Sequence, residues 1–296
     1  KSIETAIKIV KNGHLRFFSP ALFNDPFDGQ RKLKCPYTDA EIMGRLVEIG
    51  YEKLTNGSFF LPIRPLLNYL NHEISKLHQA GGGATDLPAL AHSALEFYYS
   101  YPLLHPEDDS HHLLTEINWI VPFQNNYRIC SMSKKADNIT MWSFYADQHQ
   151  GVCLGFNKNL FHQQEKVNAH QVNYVNQLPT INDLDFWAHA NTANYPFSIM
   201  EHMLNYLTSK SEHWSGEEEV RFACYDSGKS MDLTVDLEFD LTCLERVILG
   251  VRTPDRETAR FASLLRGHLG KCELSKCTRS DTEFNLDMKS IDKRLA

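Results

Sequence analysis

The stretch RICSMSKKADNITMWSFYADQHQGVCLGF (residues 128–156) decides the predicted fold. A strand pattern, a helical pattern with a tryptophan and a second strand pattern follow one another within it. The period of two in the first strand puts Ser131 and Ser133 on one face. Strands favour β-branched and aromatic side chains, so two serines on one face indicate a polar group lying over them. Alternatively, both serines lie at the exposed end of the strand.

Composition bounds the class of protein. The chain has 296 residues, 42% of them hydrophobic, which suffices for a large domain with an inserted block. Its formal net charge of -7 disfavours non-specific binding to nucleic acid, although it leaves room for a local basic groove. None of the seven cysteines forms a C-x-x-C pair, and no apolar run approaches the ~18 residues of a membrane span. We expect a soluble cytoplasmic protein in a reducing compartment, with no membrane partner.

Hydrophobic periodicity predicts helices and strands in a mixed order. A short helix (2–12) precedes a strand (14–19), and a mostly helical block covers 39–118. We predict that this block is inserted between strands of one sheet. Further strands are predicted in YRICSMS, GVCLGF, HQVNYV, EVRFACY, MDLTVDL, LERVILG and CELSKCTRS, and further helices at about 183–210 and 255–268. This pattern predicts an α+β fold, with a single domain over 1–296.

The segment GEEEVRFACY carries three successive acids into an apolar strand. Alternation places Glu217, Glu219 and Arg221 on one face. Two carboxylates so spaced can face one ligand while the arginine compensates their charge. The alternative is a solvated strand edge that resists aggregation.

The segment HLRFFSPALFNDPFDG carries a basic residue on a short, otherwise apolar strand. The guanidinium of Arg16 is suited to binding a phosphate through two parallel hydrogen bonds. The residues Asn24, Asp25 and Asp28 surround a proline, and this pattern predicts a turn stabilised by side chains rather than a metal site. We predict no bound metal.

The order of these motifs resembles that of ADP-ribosyltransferases of the Arg-Ser-Glu type. The matching residues are Arg16, Ser131-Met132-Ser133 and Glu217-Glu218-Glu219. The resemblance implies an ADP-ribosyltransferase-like split β-sheet, here with 39–118 as a helical insertion.

A second resemblance covers most of the chain. Three segments are similar to those of a bacterial family of unknown function, the domain-of-unknown-function 2971 family. The segments are FNDPFD (23–28), MWSFYAD (141–147) and a set spaced K-x-x-x-W-x-x-E-x-E-x-R, which here comprises Lys210, Trp214, Glu217, Glu219 and Arg221. This resemblance implies no chemistry by itself.

The transferase resemblance implies that NAD is the substrate and that ADP-ribose passes to a macromolecular acceptor, which is a protein, RNA or DNA. The bond between ribose and nicotinamide breaks through an oxocarbenium-like state. Glu219 would stabilise that positive charge, an electrostatic effect of about 3 to 4 kcal/mol in other enzymes. Glu217 would orient or deprotonate the acceptor.

The same resemblance implies a set of NAD-binding residues. Arg16 would bind the pyrophosphate, and His14 competes with it as the first-motif residue because it shares the same strand face. Ser131 would bind the nicotinamide ribose or fix Glu219, and Ser133 is a weaker candidate.

Two aromatic residues of the helical stretch are candidates for the nicotinamide pocket. Trp142 or Tyr145 would form its wall, although large aromatic side chains at helical spacing commonly belong to a core. The helix is predicted to begin after a cap at Asp137 or Asn138.

Two other functions fit the residues. A metal-dependent nuclease toxin could bind Mg²⁺ through Asp25, Asp28, Glu217 and Glu219. A non-catalytic module could bind a partner through the block 39–118. If the transferase reading holds, a bacterial enzyme that consumes NAD or modifies an essential polymer needs restraint, so we expect a toxin–antitoxin or antiviral (phage) defence role with an inhibitory partner.

Overall fold

The fold was analysed in a computed structural model, which describes residues 1–29, 34–57, 65–100, 114, 126–191, 197–225, 232–266 and 269–294. The helices are α1 (Ile3–Asn12), α2 (Asp39–Thr55), α3 (Pro65–Gln79), α4 (Leu87–Ser100), α5 (Ile139–Tyr145), α6 (Leu184–Ala190), α7 (Phe197–Leu207) and α8 (Asp255–Leu265). The strands are β1 (His14–Phe18), β2 (Tyr127–Ser133), β3 (Val152–Phe156), β4 (Val167–Gln171), β5 (Asn173–Val175), β6 (Ser209–Ser211), β7 (Glu219–Tyr225), β8 (Thr234–Glu238), β9 (Leu244–Leu249), β10 (Glu273–Arg279) and β11 (Leu286–Ser290). The predicted α+β class is therefore confirmed.

The chain divides into two compact units. The first comprises 1–29, 125–176 and 208–296, and the second comprises 30–124 and 177–207. The predicted block 39–118 falls in the second unit, although most of 101–118 lies outside the described residues. Because β1 and β2 pair with each other, the chain from 30 to 124 connects two strands of one sheet.

The first unit contains a five-stranded sheet in the order β4-β7-β2-β1-β8. Every pairing in it is antiparallel. The apolar face of this sheet carries Phe17, Cys130 and Phe222, which belong to or pack against a cluster that also includes Phe161. The opposite face carries the polar residues that form the candidate site.

A second sheet of the first unit has the order β11-β10-β9-β3, in which β9 and β10 are parallel. The apolar stripes of α1 and α8 pack on it. Helix α1 begins after Ser2, whose side chain accepts a hydrogen bond from the Thr5 amide. It ends at Gly13, whose φ of 66° suits glycine. Both ends confirm the predicted helix.

The described residues of the second unit are mostly helical. Helices α2, α3, α4, α6 and α7 share one apolar cluster, which includes Leu46, Leu70, Trp187 and Met203. Helix α2 begins with a reciprocal capping box between Thr38 and Glu41.

One strand prediction was wrong, and two strands were not predicted: β6, which falls at the end of the predicted helix of about 183–210, and β11. HQVNYV does not form one strand, because the chain leaves β4 at Gln171 and enters β5, which pairs in parallel with β6. The strand β11 was missed, because its exposed alternating side chains are charged or polar and its apolar signal is weak.

Candidate functional site

Five charged side chains form a buried ionic cluster beside the polar face of the five-stranded sheet. Each is less than one tenth exposed. The members are Asp28, Lys210, Glu217, Glu219 and Arg221. Charges this buried are stable only when paired and hydrogen-bonded, so the cluster is a strongly constrained part of the fold.

Arg221 is the centre of this ionic cluster. Its guanidinium nitrogens donate to both carboxylate oxygens of Asp28, at 2.8 and 2.6 Å, in a bidentate arrangement. Its Nε donates to Glu219 Oε1 at 2.9 Å. The guanidinium also lies 5.3 Å from the centre of the Phe23 ring. With 1% of its side chain exposed, Arg221 has no access to bulk water.

Lys210 joins the remaining carboxylates. Its Nζ donates to Glu217 Oε2 at 2.5 Å and to Glu219 Oε2 at 3.0 Å. It lies 3.9 Å from Asp28 Oδ2 and 5.2 Å from the centre of the Trp214 ring. Three carboxylates therefore share two cations, and the ionic cluster has one excess negative charge when all its members are ionised.

The backbone around Glu218 brings the two catalytic candidates together. Glu217 ends a 3₁₀ turn (Glu212–Glu217), and Glu219 begins β7. Between them Glu218 has a φ of 44°, which turns its side chain out to Lys135. The convergence of Glu217 and Glu219 was predicted, but its cause is this turn rather than strand alternation.

Two tyrosines connect the ionic cluster to neighbouring elements. Tyr145, the last residue of α5, donates its hydroxyl to Glu217 Oε1 at 3.0 Å and also hydrogen-bonds Asn24. The hydroxyl of Tyr174 accepts from the Glu219 amide at 2.8 Å. Tyr174 is opposite Lys210 in the β5–β6 pair, so this short parallel pair positions both residues.

Burial and charge set the protonation of the carboxylates. Burial by itself would raise the pKa of Glu219, but Arg221, Lys210 and a hydrogen bond from Ser131 outweigh it and lower that pKa below its ordinary value. Burial raises the pKa of Asp28 despite the bidentate Arg221. For Lys210 the carboxylates outweigh burial and raise its pKa. At neutral pH Glu219 is therefore an ionised carboxylate beside the ammonium group of Lys210.

The two serines of β2 have different environments. Ser131 is exposed, lies opposite Arg221 in the β2–β7 pair and hydrogen-bonds Glu219. Ser133 instead donates to the Lys135 carbonyl and accepts from the Lys135 amide, both at 3.1 Å, so it stabilises the turn after β2. Ser131 is thus the serine in contact with a catalytic candidate.

Arg16 shares the polar face with Ser131. Phe18 pairs with Ile129, and alternation puts Arg16 and Ser131 on the same side as that pair. The Arg16 guanidinium is exposed and forms a bidentate pair with Asp236, with both distances 2.7 Å. His14 is exposed on the same face, with Nδ1 2.6 Å from the Asn12 carbonyl oxygen. No described contact joins either residue to the ionic cluster.

The helix after the serines contributes one candidate to the site and one to the core. The side chain of Asn138 accepts from the Met141 amide, so Asn138 is the cap, one of the two predicted. Tyr145 reaches Glu217 and is 40% exposed. Trp142 is 3% exposed, packs with Ile248 and Leu286, and donates to the Ala136 carbonyl. We therefore assign Trp142 to the core rather than to a pocket wall.

The acidic loop before residue 30 performs two tasks. Asp25 accepts from the Phe27 amide at 2.8 Å, which is the predicted turn. Asp28 extends into the ionic cluster, whereas the sequence grouped it with Glu217 and Glu219 only in the nuclease alternative, as a ligand of Mg²⁺. Among the described ranges, no group of three or more His, Cys, Asp or Glu side chains is arranged to hold a metal ion.

Sequence reasoning missed the central positions of Lys210 and Arg221, although it assigned Arg221 to charge compensation. All members of the ionic cluster, and several residues around it, lie in the three motif segments quoted above. FNDPFD supplies Phe23, Asn24 and Asp28, MWSFYAD supplies Tyr145, and the third segment supplies the rest of the ionic cluster together with Trp214.

Residues 141–222 match the profile of a family described as a protein of unknown function (DUF2971). The matched segment runs from α5 into β7 and contains every member of the ionic cluster except Asp28. The chain has no significant match among curated proteins or solved structures. Within the described part of the chain, no helix is both long and apolar enough to cross a bilayer.

Proposed function

We propose that this chain is an NAD-dependent ADP-ribosyltransferase with an ADP-ribosyltransferase-like split sheet. The observation that carries the proposal is that Arg16, Ser131 and Glu219 lie on one face of the adjacent strands β1, β2 and β7. A phosphate-binding group and a hydroxyl are then exposed on one side of the sheet, and the ionised carboxylate of Glu219 lies buried on that same side. This is the set of groups that a bound NAD molecule needs at its pyrophosphate and its nicotinamide ribose.

NAD would lie across the polar face of the sheet. Arg16 holds the pyrophosphate, for which it must exchange its bond to Asp236. That exchange is inexpensive, because an exposed ion pair contributes only about 0–1 kcal/mol. Ser131 is exposed, and its hydroxyl, which hydrogen-bonds the Glu219 carboxylate, would also contact the ribose.

Glu219 would act on the glycosidic bond. The bond between ribose C1′ and the nicotinamide nitrogen breaks, and its electron pair leaves with nicotinamide. The positive charge left on the ribose is stabilised by the fixed carboxylate, which needs no reorganisation because Lys210 and Arg221 hold it in place. A nucleophile of the acceptor then bonds to C1′ and releases a proton.

Glu217 and Tyr145 would serve the acceptor. Glu217 lies on the side of the ionic cluster where Tyr145 is exposed, and the two share a hydrogen bond. A carboxylate there can orient the acceptor nucleophile and accept its proton.

The biological setting belongs to the same proposal. An enzyme in the cytoplasm that consumes NAD or modifies an essential macromolecule harms its own cell unless it is restrained. We therefore expect a bacterial toxin or an antiviral defence component, with an inhibitory partner protein.

The test uses NAD labelled in its adenylate portion, incubated with a cell extract and the purified protein. Wild type should transfer label, and Glu219→Gln should reduce the transfer by about 10²- to 10³-fold, the loss expected for an electrostatic group at the reacting centre. The matched control is Glu218→Gln, because that neighbouring carboxylate points away from the ionic cluster to Lys135. Equal losses in both variants would contradict the proposal.

Two additions separate the alternatives. A chelator should leave label transfer unchanged, whereas a nuclease that binds Mg²⁺ through Asp28, Glu217 and Glu219 would lose activity. A biological effect that survives Glu219→Gln would favour the partner-binding module. Treating the labelled products separately with protease, RNase and DNase identifies the acceptor class.

A further inference from the structure

An exposed aromatic surface adjoins the ionic cluster. Phe144, on α5, is 66% exposed, and its ring centre lies 6.4 Å from those of both Tyr145 and Trp214. We call these three residues the aromatic rim. The rim is contiguous with the site, because Tyr145 donates to Glu217 and Trp214 lies against Lys210.

Rings around this site already bind cations of the chain itself. Trp214 lies over the Lys210 ammonium and Phe23 lies over the Arg221 guanidinium. Phe144 lies beside the rings of Tyr145 and Trp214, but among the residues the structure describes no lysine or arginine lies over its own ring. An exposed ring face attracts a cation by about 0.5–1 kcal/mol, which corresponds to roughly two- to fivefold in affinity.

The charges around the aromatic rim also favour a cationic ligand. Exposed acids flank both of its elements, Asp137 and Asp147 around α5 and Glu212 in the 3₁₀ turn. In the segment before α5, Lys135 is engaged with Glu218 and Lys134 is exposed, so the three exposed acids outnumber Lys134. The ionic cluster behind the rim has an excess carboxylate, and the whole chain has a net charge of -7. A polyanion such as RNA or DNA would be repelled here.

We propose that the aromatic rim binds an extended, basic segment of a protein, with a lysine or arginine side chain over Phe144. That this segment is the acceptor of ADP-ribose rests on the function proposed above. Binding of the segment itself does not require that function.

The binding test uses fluorescence anisotropy of a short labelled peptide of alternating arginine and glycine, without NAD. Phe144→Leu should weaken binding about two- to fivefold, because leucine keeps an apolar side chain but has no π face. Phe144→Trp should bind at least as tightly as wild type. The matched control is Phe284→Leu, since Phe284 is fully exposed in the turn between β10 and β11 and lies outside the rim.

Three results would overturn the inference: equal affinities of wild type and Phe144→Leu, an equal loss in Phe284→Leu, or tighter binding of a labelled oligothymidylate than of the peptide. A second arm tests the acceptor role. In the labelled-NAD reaction, Phe144→Leu should lower the ratio of protein-bound label to released nicotinamide, and an unchanged ratio or label in nucleic acid would refute it. If wild type binds the peptide but releases no nicotinamide, the proposed function fails while the binding surface stands.

Discussion

Replacing Arg221 with methionine tests whether the ionic cluster is as tightly constrained as its geometry indicates. The substitution keeps most of the side-chain volume but removes four hydrogen bonds to Asp28 and Glu219. Asp28 and Glu219 then remain buried and share Lys210 with Glu217 as the one remaining cation of the ionic cluster. Removing one partner of a buried ion pair costs about 3–5 kcal/mol.

The raised pKa of Asp28 limits this penalty. A buried aspartate can lose its charge by binding a proton, which costs about 1.36 kcal/mol for each pH unit above its ordinary pKa of 3.8. Protonating the aspartate costs roughly 4.4 kcal/mol at pH 7 and roughly 1.6 kcal/mol at pH 5. Because the variant raises the pKa of folded Asp28 further, its stability relative to wild type should recover as the pH falls, by up to about 2.7 kcal/mol between pH 7 and pH 5.

The assay is hydrogen exchange of peptides covering 127–133 and 219–225 at increasing urea concentration, which reports the free energy of opening of β2 and β7 alone. The matched control is Arg16→Met, since Arg16 makes a similar bidentate pair in an exposed position and should cost at most about 1 kcal/mol. Adding Asp28→Asn to Arg221→Met should restore about 1–3 kcal/mol. A penalty below 1 kcal/mol for Arg221→Met, or one independent of pH, would refute the reasoning.

Three further predictions concern Glu219, Tyr145 and a pair of glycines. The lowered pKa of Glu219 contributes stability that is present above the ordinary pKa of 4.5 and is lost as the pH falls through the pKa of the folded state. The free energy of unfolding in urea, measured from pH 7 to pH 3, should therefore depend less on pH in Glu219→Gln than in wild type. The same pH dependence in both proteins would count against the lowered pKa. Tyr145→Phe removes a hydrogen bond to the Glu217 carboxylate and should lower the rate of label transfer more than it lowers NAD binding measured by calorimetry; a loss of binding alone would contradict the acceptor-side role. Gly250→Ala would place a Cβ 2.1 Å from a backbone carbonyl oxygen and should destabilise by more than about 1 kcal/mol. Gly44→Ala, with open space in α2, should stabilise by about 0.5–1 kcal/mol, and thermal unfolding that ranked the two glycine variants in the opposite order would disprove the packing.

Local periodicity predicted much of the first unit. The strand YRICSMS is observed as Tyr127–Ser133, and EVRFACY lies within β7 as predicted. Alternation in those two strands placed Ser131 and Glu219 correctly on the polar face, because side-chain direction in a strand is a local property.

Long-range and irregular features could not be predicted in the same way. The partner of Arg221 is Asp28, 193 residues earlier in the sequence, and no local pattern specifies that contact. The approach of Glu217 to Glu219 depends on a positive φ at Glu218, a conformation rarely adopted by a glutamate. Trp142 was ambiguous because helical spacing alone does not distinguish a core from a pocket wall.

The measurement that most directly tests the central claim is the rate at which nicotinamide is released from NAD in the presence of cell extract. The NAD is labelled in its nicotinamide, and the proteins compared are wild type, Glu219→Gln and Glu218→Gln. We predict release by wild type, a similar rate for Glu218→Gln, and a rate about 10²- to 10³-fold lower for Glu219→Gln. No release by wild type, or the same rate in wild type and Glu219→Gln, would contradict the assignment of Glu219 as the carboxylate that acts on NAD.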